Sequence, residues 1–247
     1  MIPLKSKQEL QLIRESGKIL ARVMQRVKGS VKPGIATFEI DEIVEQKIRE
    51  EGAVPAFKGY KGFPASVCVS LNEEVVHGIP GERIIVDGDI VSIDIGVNYK
   101  GYFSDAAVTL PVGKVSPKVK KLIEVTKRAL NEGIRQARPG NRIFDISYVI
   151  QNYVEAQGFS VVRQFVGHGI GLNLHEDPEI PNFGRPNQGA TIEPGMVLAI
   201  EPMVNMGSWE CRILDNGWTA VTADNMPSAH FEHTIEIGDR GPLILTA

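Results

Sequence analysis

Ile90-Val91-Ser92-Ile93-Asp94-Ile95 and Val197-Leu198-Ala199-Ile200-Glu201-Pro202 decide how this chain folds. Each is an apolar, strand-forming run with a carboxylate near its end, each follows a glycine (Gly88, Gly195), and the two superimpose at a shift of 107 residues. An unpaired carboxylate inside such a run costs several kcal/mol or more, so it gains a proton, a partner or a cation. Two acids at equivalent places point to a cation held between two related halves.

The repeat extends outward from these strands. Pro33-Gly34 with Phe38, Ile40, Ile43, Val44, Ile48 and Gly52 matches Pro139-Gly140 with Phe144, Ile146, Val149, Ile150, Val154 and Gly158 at a shift of 106. Both copies have helical apolar spacing between a Pro-Gly turn and a closing glycine. Looser matches join Val76-His77-Gly78-Ile79 to Gly167-His168-Gly169-Ile170, and Phe103-Ser104-Asp105 to Phe231-Glu232.

The periodicities predict helices over 6–28, 38–51, from Ser116-Pro117 to 136, and over 143–157. Strands are expected near 67–71, 90–97, 102–110, 161–166, 196–203, 209–214, 218–222 and 229–237, with Asn216-Gly217 as a hairpin turn. Mixed helices and hairpins give an α+β class with antiparallel pairing. One domain, 1–247, is expected, made of halves over about 1–112 and 113–247.

Composition narrows the function. The 43% hydrophobic content of 247 residues supports a sizeable core. A net charge of -3 without a basic stripe argues against a nucleic-acid substrate. Cys68 and Cys211 form no C-x-x-C and read as free thiols of a reducing compartment. No run approaches the roughly 20 apolar residues of a membrane span. The N-terminus opens on a capping box, Ser6 to Glu9, ahead of Leu10, Ile13, Gly17, Leu20, Met24 and Val27, which predicts a helix in place of a signal peptide and a cytosolic chain.

The chemistry gathers on acids and histidines. With the 94–105 hairpin centred between Tyr99 and Lys100, Asp94 and Asp105 face each other directly, about 4.5 to 5.5 Å apart at Cβ, where like charges repel and a divalent cation reverses the sign. A bulge at Gly101 would break that register. In Ala229 to Ile237, alternation places His230, Glu232, Thr234 and Glu236 on one polar strand face. His168 stands among Gly167, Gly169 and Gly171, glycines expected to let the backbone turn sharply. Asp94, Asp105, His168, Glu201 and Glu232 carry too much negative charge for one divalent ion and suit two. Alone, each has a plainer reading: a solvated hairpin acid, a loop histidine, or, for His175 in His175-Glu176-Asp177-Pro178, an acidic surface turn.

Together, Ser70 to Pro80 (S-x-N-x-x-x-x-H-G-I-P), Asp94-Ile95-Gly96, Asp105, Gly167 to Gly171, His175 to Pro178, Ile200-Glu201-Pro202 and Phe231 to Thr234 resemble the type I methionine aminopeptidases over essentially the whole chain. The resemblance implies the pita-bread fold, two pseudo-symmetric halves with antiparallel sheet and flanking helices around a dinuclear metal site. It also implies removal of the initiator methionine from nascent chains by metal-activated hydroxide attack on the scissile carbonyl. Asp94 would hold one metal, His168 and Glu201 the other, with Asp105 and Glu232 bridging; the two divalent ions would be Co, Mn, Fe(II) or Zn. His175 would contact the substrate carbonyl, His77 the scissile amide, and Glu201 would also move a proton to the leaving amine. Tyr60, Phe63, Cys68 and Trp218 would line the methionine pocket, with Phe57 and Leu174 standing where some members have Cys and Phe. A small second residue, a monomer, a cytoplasmic setting and transient ribosome contact are further expectations of the family. Two other readings compete: an Xaa-Pro aminopeptidase or prolidase, which would share all five ligands but usually carries an added N-terminal domain, and a non-catalytic peptide-binding module, which would typically have lost ligands.

Overall fold

Residues 2–247 are described in the computed structural model, and the helix punctuation of the sequence is obeyed there. Ser6 caps α1 (Lys7–Lys28): its Oγ accepts from the Glu9 N–H, and Glu9 Oε2 accepts from the Ser6 N–H at 2.8 Å. The helices α2 (Thr37–Glu50), α3 (Pro117–Gln136) and α4 (Ile143–Ala156) follow. The repeat has geometric content. Ala36 and Arg142 each donate a backbone N–H to the acid three residues on, Glu39 and Asp145, at 2.7 Å, and each forms an isolated antiparallel bridge, to Ile84 and Thr191. Gly88 and Gly195, which lead into the acid-bearing strands, share a left-handed turn conformation with φ of 97° and 91° that side chains rarely adopt.

Before α3 lie β1 (Val54–Pro55), β2 (Cys68–Leu71), β3 (Glu74–Val76), β4 (Ile90–Tyr99) and β5 (Tyr102–Pro111). After α4 come β6 (Ser160–Val161), β7 (Gly167–Gly169), β8 (Glu176–Ile180), β9 (Val197–Ile200) and β10 (Met203–Asn205). The last are β11 (Cys211–Ile213), β12 (Ala220–Thr222), β13 (Ser228–His230), β14 (His233–Gly238) and β15 (Gly241–Ile244). The strand pairs in every ladder are antiparallel, as expected. One sheet runs β1-β4-β2 with β5 added to β4, and another runs β15-β14-β9-β7-β8. Leu20, Val23, Ile40 and Val44 from α1 and α2 pack with Val69, Ile93 and Ile95 of the first sheet. Leu122, Ala129, Ile146 and Ile150 from α3 and α4 pack with Leu198, Ile200 and Ile235 of the second. Each fully buried Ile or Leu contributes about 1.5–3 kcal/mol of transfer free energy.

Several expectations are corrected. The β4–β5 hairpin turns on Lys100-Gly101, not between Tyr99 and Lys100: Tyr99 pairs with Tyr102, so Asp94 faces Ala107 and Asp105 faces Gly96. Lys100 (φ 53°) and Gly101 (φ 87°) both take the positive φ that a tight two-residue hairpin turn demands. Asp94 and Asp105 are therefore diagonal neighbours on one face. The expected strand over 196–203 stops at Ile200 and resumes at Met203, and that over 229–237 is interrupted at Phe231-Glu232. Of the expected strand 161–166 only Val161 lies in a strand, at the end of β6; residues 162–166 are outside any strand, and β7 begins after them at Gly167. Strands β1, β3, β8 and β15 were not expected.

The interruption has a consistent register. Ile200 pairs with His233 on one side of it and Met203 with His230 on the other, which sets Glu201 opposite Glu232. Glu232 then pairs with the other hairpin: its N–H reaches Ala107 O at 3.0 Å, and Ala107 N–H reaches Glu232 O at 3.4 Å. On one side of this contact Thr234 Oγ1 accepts from Asp105 N–H at 2.9 Å and donates to Asp105 O at 2.8 Å. On the other side Thr109 Oγ1 does the same with His230, at 2.8 Å and 2.8 Å. The seam is thus twofold, with Thr109 equivalent to Thr234 and Ala107 to Glu232. This replaces the looser match of Asp105 with Glu232. The match of His77 with His168 also has no geometric counterpart, since His77 sits at φ 59° in the turn after β3 and His168 lies within β7.

Candidate metal centre

The acids expected to meet do meet. Asp94 lies mid-strand on β4, across from Cys68 of β2, and Asp105 lies on β5. Glu232 occupies the gap between β13 and β14, and Glu201 follows β9. Glu232 therefore does not project from a polar strand face: Glu232, His230, Thr234 and Glu236 are all buried, and that face is interior. His168 comes from β7, an inner strand. Its flanking glycines do not turn the chain but let strands approach: a Cβ at Gly167 would lie 2.4 Å from Ala199 O, and one at Gly169 would lie 2.1 Å from Asp177 O.

Ligand-capable atoms of Asp105, His168 and Glu232 all lie within 4.8 Å of one another. His168 Nε2 is 3.5 Å from Glu201 Oε1. His168 Nδ1 donates to the Gly169 carbonyl at 2.9 Å, which leaves the Nε2 lone pair facing the carboxylates. Asp94 Oδ1, Asp105 Oδ1 and Glu232 Oε1 are buried without any hydrogen-bond partner. Burial pushes Asp94 up to about 6 and Glu201 up to about 7. Burial first, and then the neighbouring acids, hold Asp105 and Glu232 well above the usual carboxylate range. Orphaned carboxylate oxygens around a free imidazole nitrogen match the donor set of a divalent cation. The residues present fit such an ion.

A cleft of about 160 Å³ opens over these groups. His175 stacks on Tyr60 with ring centroids 5.3 Å apart, its Nδ1 is 3.0 Å from Tyr60 Oη, and its ring centroid is 4.2 Å from that of His168. Burial and then His168 depress His175 to about 3, so it is neutral at pH 7. Burial likewise depresses His77 to about 4; its ring meets Trp218 and Phe165 edge-on. Phe63 packs edge-on to Trp218 at 5.2 Å, and Cys68 is buried beside Asp94. Phe57 and Leu174 line the same space. The glycine of Asp94-Ile95-Gly96 makes room for Phe57, whose ring would lie 2.5 Å from a Cβ there.

All eleven residues singled out from the sequence line this one cleft. Two further neighbours stand close to these groups. Lys61 also lines it, with its ammonium 5.4 Å from the Tyr60 ring centre, and nothing in Gly59-Tyr60-Lys61-Gly62 marks that role. His230, placed by the sequence only on the polar face shared with Glu232, has its Nε2 3.5 Å from Glu201 Oε2 and without a hydrogen-bond partner.

Comparison with known proteins follows the same lines. Residues 11–239 match metallopeptidase family M24. The chain is 54% identical over 246 residues to methionine aminopeptidase 1 of Bacillus subtilis, covering 100% of this chain and 99% of that protein. It is 56% identical to the methionine aminopeptidase of Clostridium perfringens, again over 100% of this chain and 99% of the relative. The solved structure of the Thermotoga maritima methionine aminopeptidase superposes with a TM-score of 0.98 at 44% identity, covering 100% of this chain and 99% of that one.

Proposed function

The chain belongs to metallopeptidase family M24, among its methionine aminopeptidases, and on that premise we propose how its buried centre removes an N-terminal methionine. The observation that carries the reading is the set of unpartnered buried oxygens on Asp94, Asp105 and Glu232, with ligand atoms of Asp105 and Glu232 within 4.8 Å of one on His168. Asp94 would hold one divalent ion, His168 and Glu201 a second, and Asp105 and Glu232 both; Co, Mn, Fe(II) and Zn all suit these donors. When bound, such ions supply a Lewis acid for the scissile carbonyl and a water acidic enough to lose its proton near neutral pH.

The remaining work falls to the chain's own side chains. The substrate's α-ammonium, which only a free N-terminus carries, is drawn to the acidic floor. With Tyr60 Oη–H donating to His175 Nδ1, the His175 proton stays on Nε2, where it can donate to the carbonyl oxygen as charge develops. Neutral His77 hydrogen-bonds the scissile amide, and Glu201 carries a proton to the leaving amine. Tyr60, Phe63, Cys68 and Trp218 enclose the methionine thioether through soft sulfur and aromatic contacts, with Phe57 and Leu174 shaping the wall. A small second residue is preferred. The family resemblance also supports nascent chains as substrates, a cytoplasmic setting, brief ribosome contact and a monomer, within one domain of two related halves. No helix among the described residues is long and apolar enough to cross a membrane.

Mass spectrometry of Met-Ala-Ser, Met-Leu-Ser, Ala-Pro-Ser and N-acetyl-Met-Ala-Ser incubated with metal-loaded protein tests the reading. Methionine is expected from the first peptide alone and only with metal. Cleavage of Ala-Pro-Ser would move the protein to the prolyl branch, and no cleavage with any of the four metals would make it a binding module.

A further inference from the structure

We propose that Lys5 is a positioning residue for His175, acting through a buried ion pair with Glu176; the inference rests on the role given to His175 above. Lys5 lies outside the cleft, in the extended segment before α1, and its N–H donates to Gly195 O at 2.8 Å. Its ammonium contacts Glu176 Oε2, with the two side chains only 2% and 7% exposed. A lysine is almost never so buried without a partner, and removing one member of such a pair is strongly destabilising.

The pair closes the loop that carries His175. Between β7 and β8, Gly171 N–H donates to Asn173 O at 3.1 Å, and Phe103 N–H of β5 donates to Gly171 O at 2.8 Å. Glu176 Oε1 accepts the Asn173 N–H at 2.9 Å, so one carboxylate holds Lys5 with one oxygen and the loop's backbone with the other. Lys5 packs directly on the loop's backbone at Gly171, where a Cβ would lie 2.4 Å from Lys5 Cε and displace the lysine. Little apolar packing holds the loop from outside, since Leu172 is 50% exposed. Leu174 and His175, the two residues before Glu176, turn into the cleft. Lys5 thereby fixes where the His175 ring stands against Tyr60 and His168.

The test measures kcat and KM on Met-Ala-Ser, metal content and Tm for metal-loaded wild type, Lys5→Met, and Lys5→Met with Glu176→Leu. Lys5→Met is also introduced into a His175→Ala background. A misplaced catalytic group costs about 10- to 100-fold in kcat. Lys5→Met is expected to show such a loss with KM within about twofold and metal retained. The double variant, freed of an orphaned charge, should regain Tm without regaining kcat. In the His175→Ala background Lys5→Met should cost no further kcat. Recovery of kcat along with Tm, or an undiminished loss without His175, would reduce the pair to a structural role and overturn the inference. A wild type that releases no methionine would overturn it together with the function it rests on, whereas an active wild type matched by Lys5→Met would overturn the inference alone.

Discussion

In the β4–β5 hairpin the ladder runs unbroken from Ile90↔Pro111 to Tyr99↔Tyr102, and Asp94 faces a small residue, Ala107. In its counterpart the ladder stops after Ile200↔His233 and resumes at Met203↔His230, and Glu201 faces Glu232, the equivalent of Ala107. The difference teaches how an asymmetric centre grows from a symmetric frame. The intact ladder delivers Asp94 as a side chain from inner β4 and leaves the outer backbone edge of β5, at Asp105 and Ala107, to bond across the seam. The interrupted one includes Pro202, which has no N–H, and frees the Glu232 backbone to bond Ala107 across the seam. The break that releases two long acids into the cleft also fastens one hairpin to the other.

Removing acids is the harshest way to break this comparison. Asp105→Ala and Glu232→Ala, which would each strip a ligand shared by both ions, should lower kcat by about 10³-fold or more and reduce the metal content of both sites. Asp94→Ala and His168→Ala should each abolish turnover while losing one ion, as read by elemental analysis. Wild-type turnover in Asp94→Ala would remove the two-ion reading. Next in size is His175→Ala, expected to lower kcat by about 10²-fold or more with metal retained. Metal loss in that variant would make His175 a ligand.

A gentler comparison uses pH on chelator-treated protein. Asp94 and Glu201 are raised from ordinary values of 3.8 and 4.5 to about 6 and about 7. Between those limits the folded metal-free chain holds protons on these two acids that the unfolded chain has released, so their contribution to stability is largest near pH 4 and falls as pH rises toward 7, opposite in sign to that of His77 and His175, which stay neutral in the fold where the unfolded chain takes up protons. Without metal, wild-type Tm should fall relative to that of the Asp94→Asn, Glu201→Gln variant as pH rises from 4 to 8; parallel profiles would mean the acids are not desolvated. The smallest effects belong to the seam. Thr109→Val and Thr234→Val each strand buried backbone groups and should cost about 1–3 kcal/mol in urea unfolding. Similar losses sharpen the twofold equivalence, and a neutral result in one of them breaks it.

Much of this was legible in the residues. Gly88 and Gly195, the Ser6 capping box and the helix repeats are local signals, and local physics enforced them. The four acids and one imidazole were legible because charge inside apolar runs is costly. The hairpin register was not, since it turns on Lys100, a residue type that carries no mark of positive φ. Nor were the interruptions at Glu201-Pro202 and Phe231-Glu232, because the apolar alternation continues across them while the seam with Ala107 is long-range. The glycines around His168 were legible as special, but their reason, close approach to Ala199 and Asp177, exists only in the assembled sheet. Strand β8 escaped because Glu176, Asp177, Pro178 and Glu179 resemble a turn and pair only at the sheet's edge.

The most direct measurement is an anomalous difference map, recorded at the metal edge from crystals of the Mn- or Co-reconstituted protein. Two peaks are expected in the cleft, one beside Asp94 and one beside His168 and Glu201, with Asp105 and Glu232 between them. A single peak, or peaks away from these five side chains, would contradict a dinuclear centre built from the two unequal hairpins.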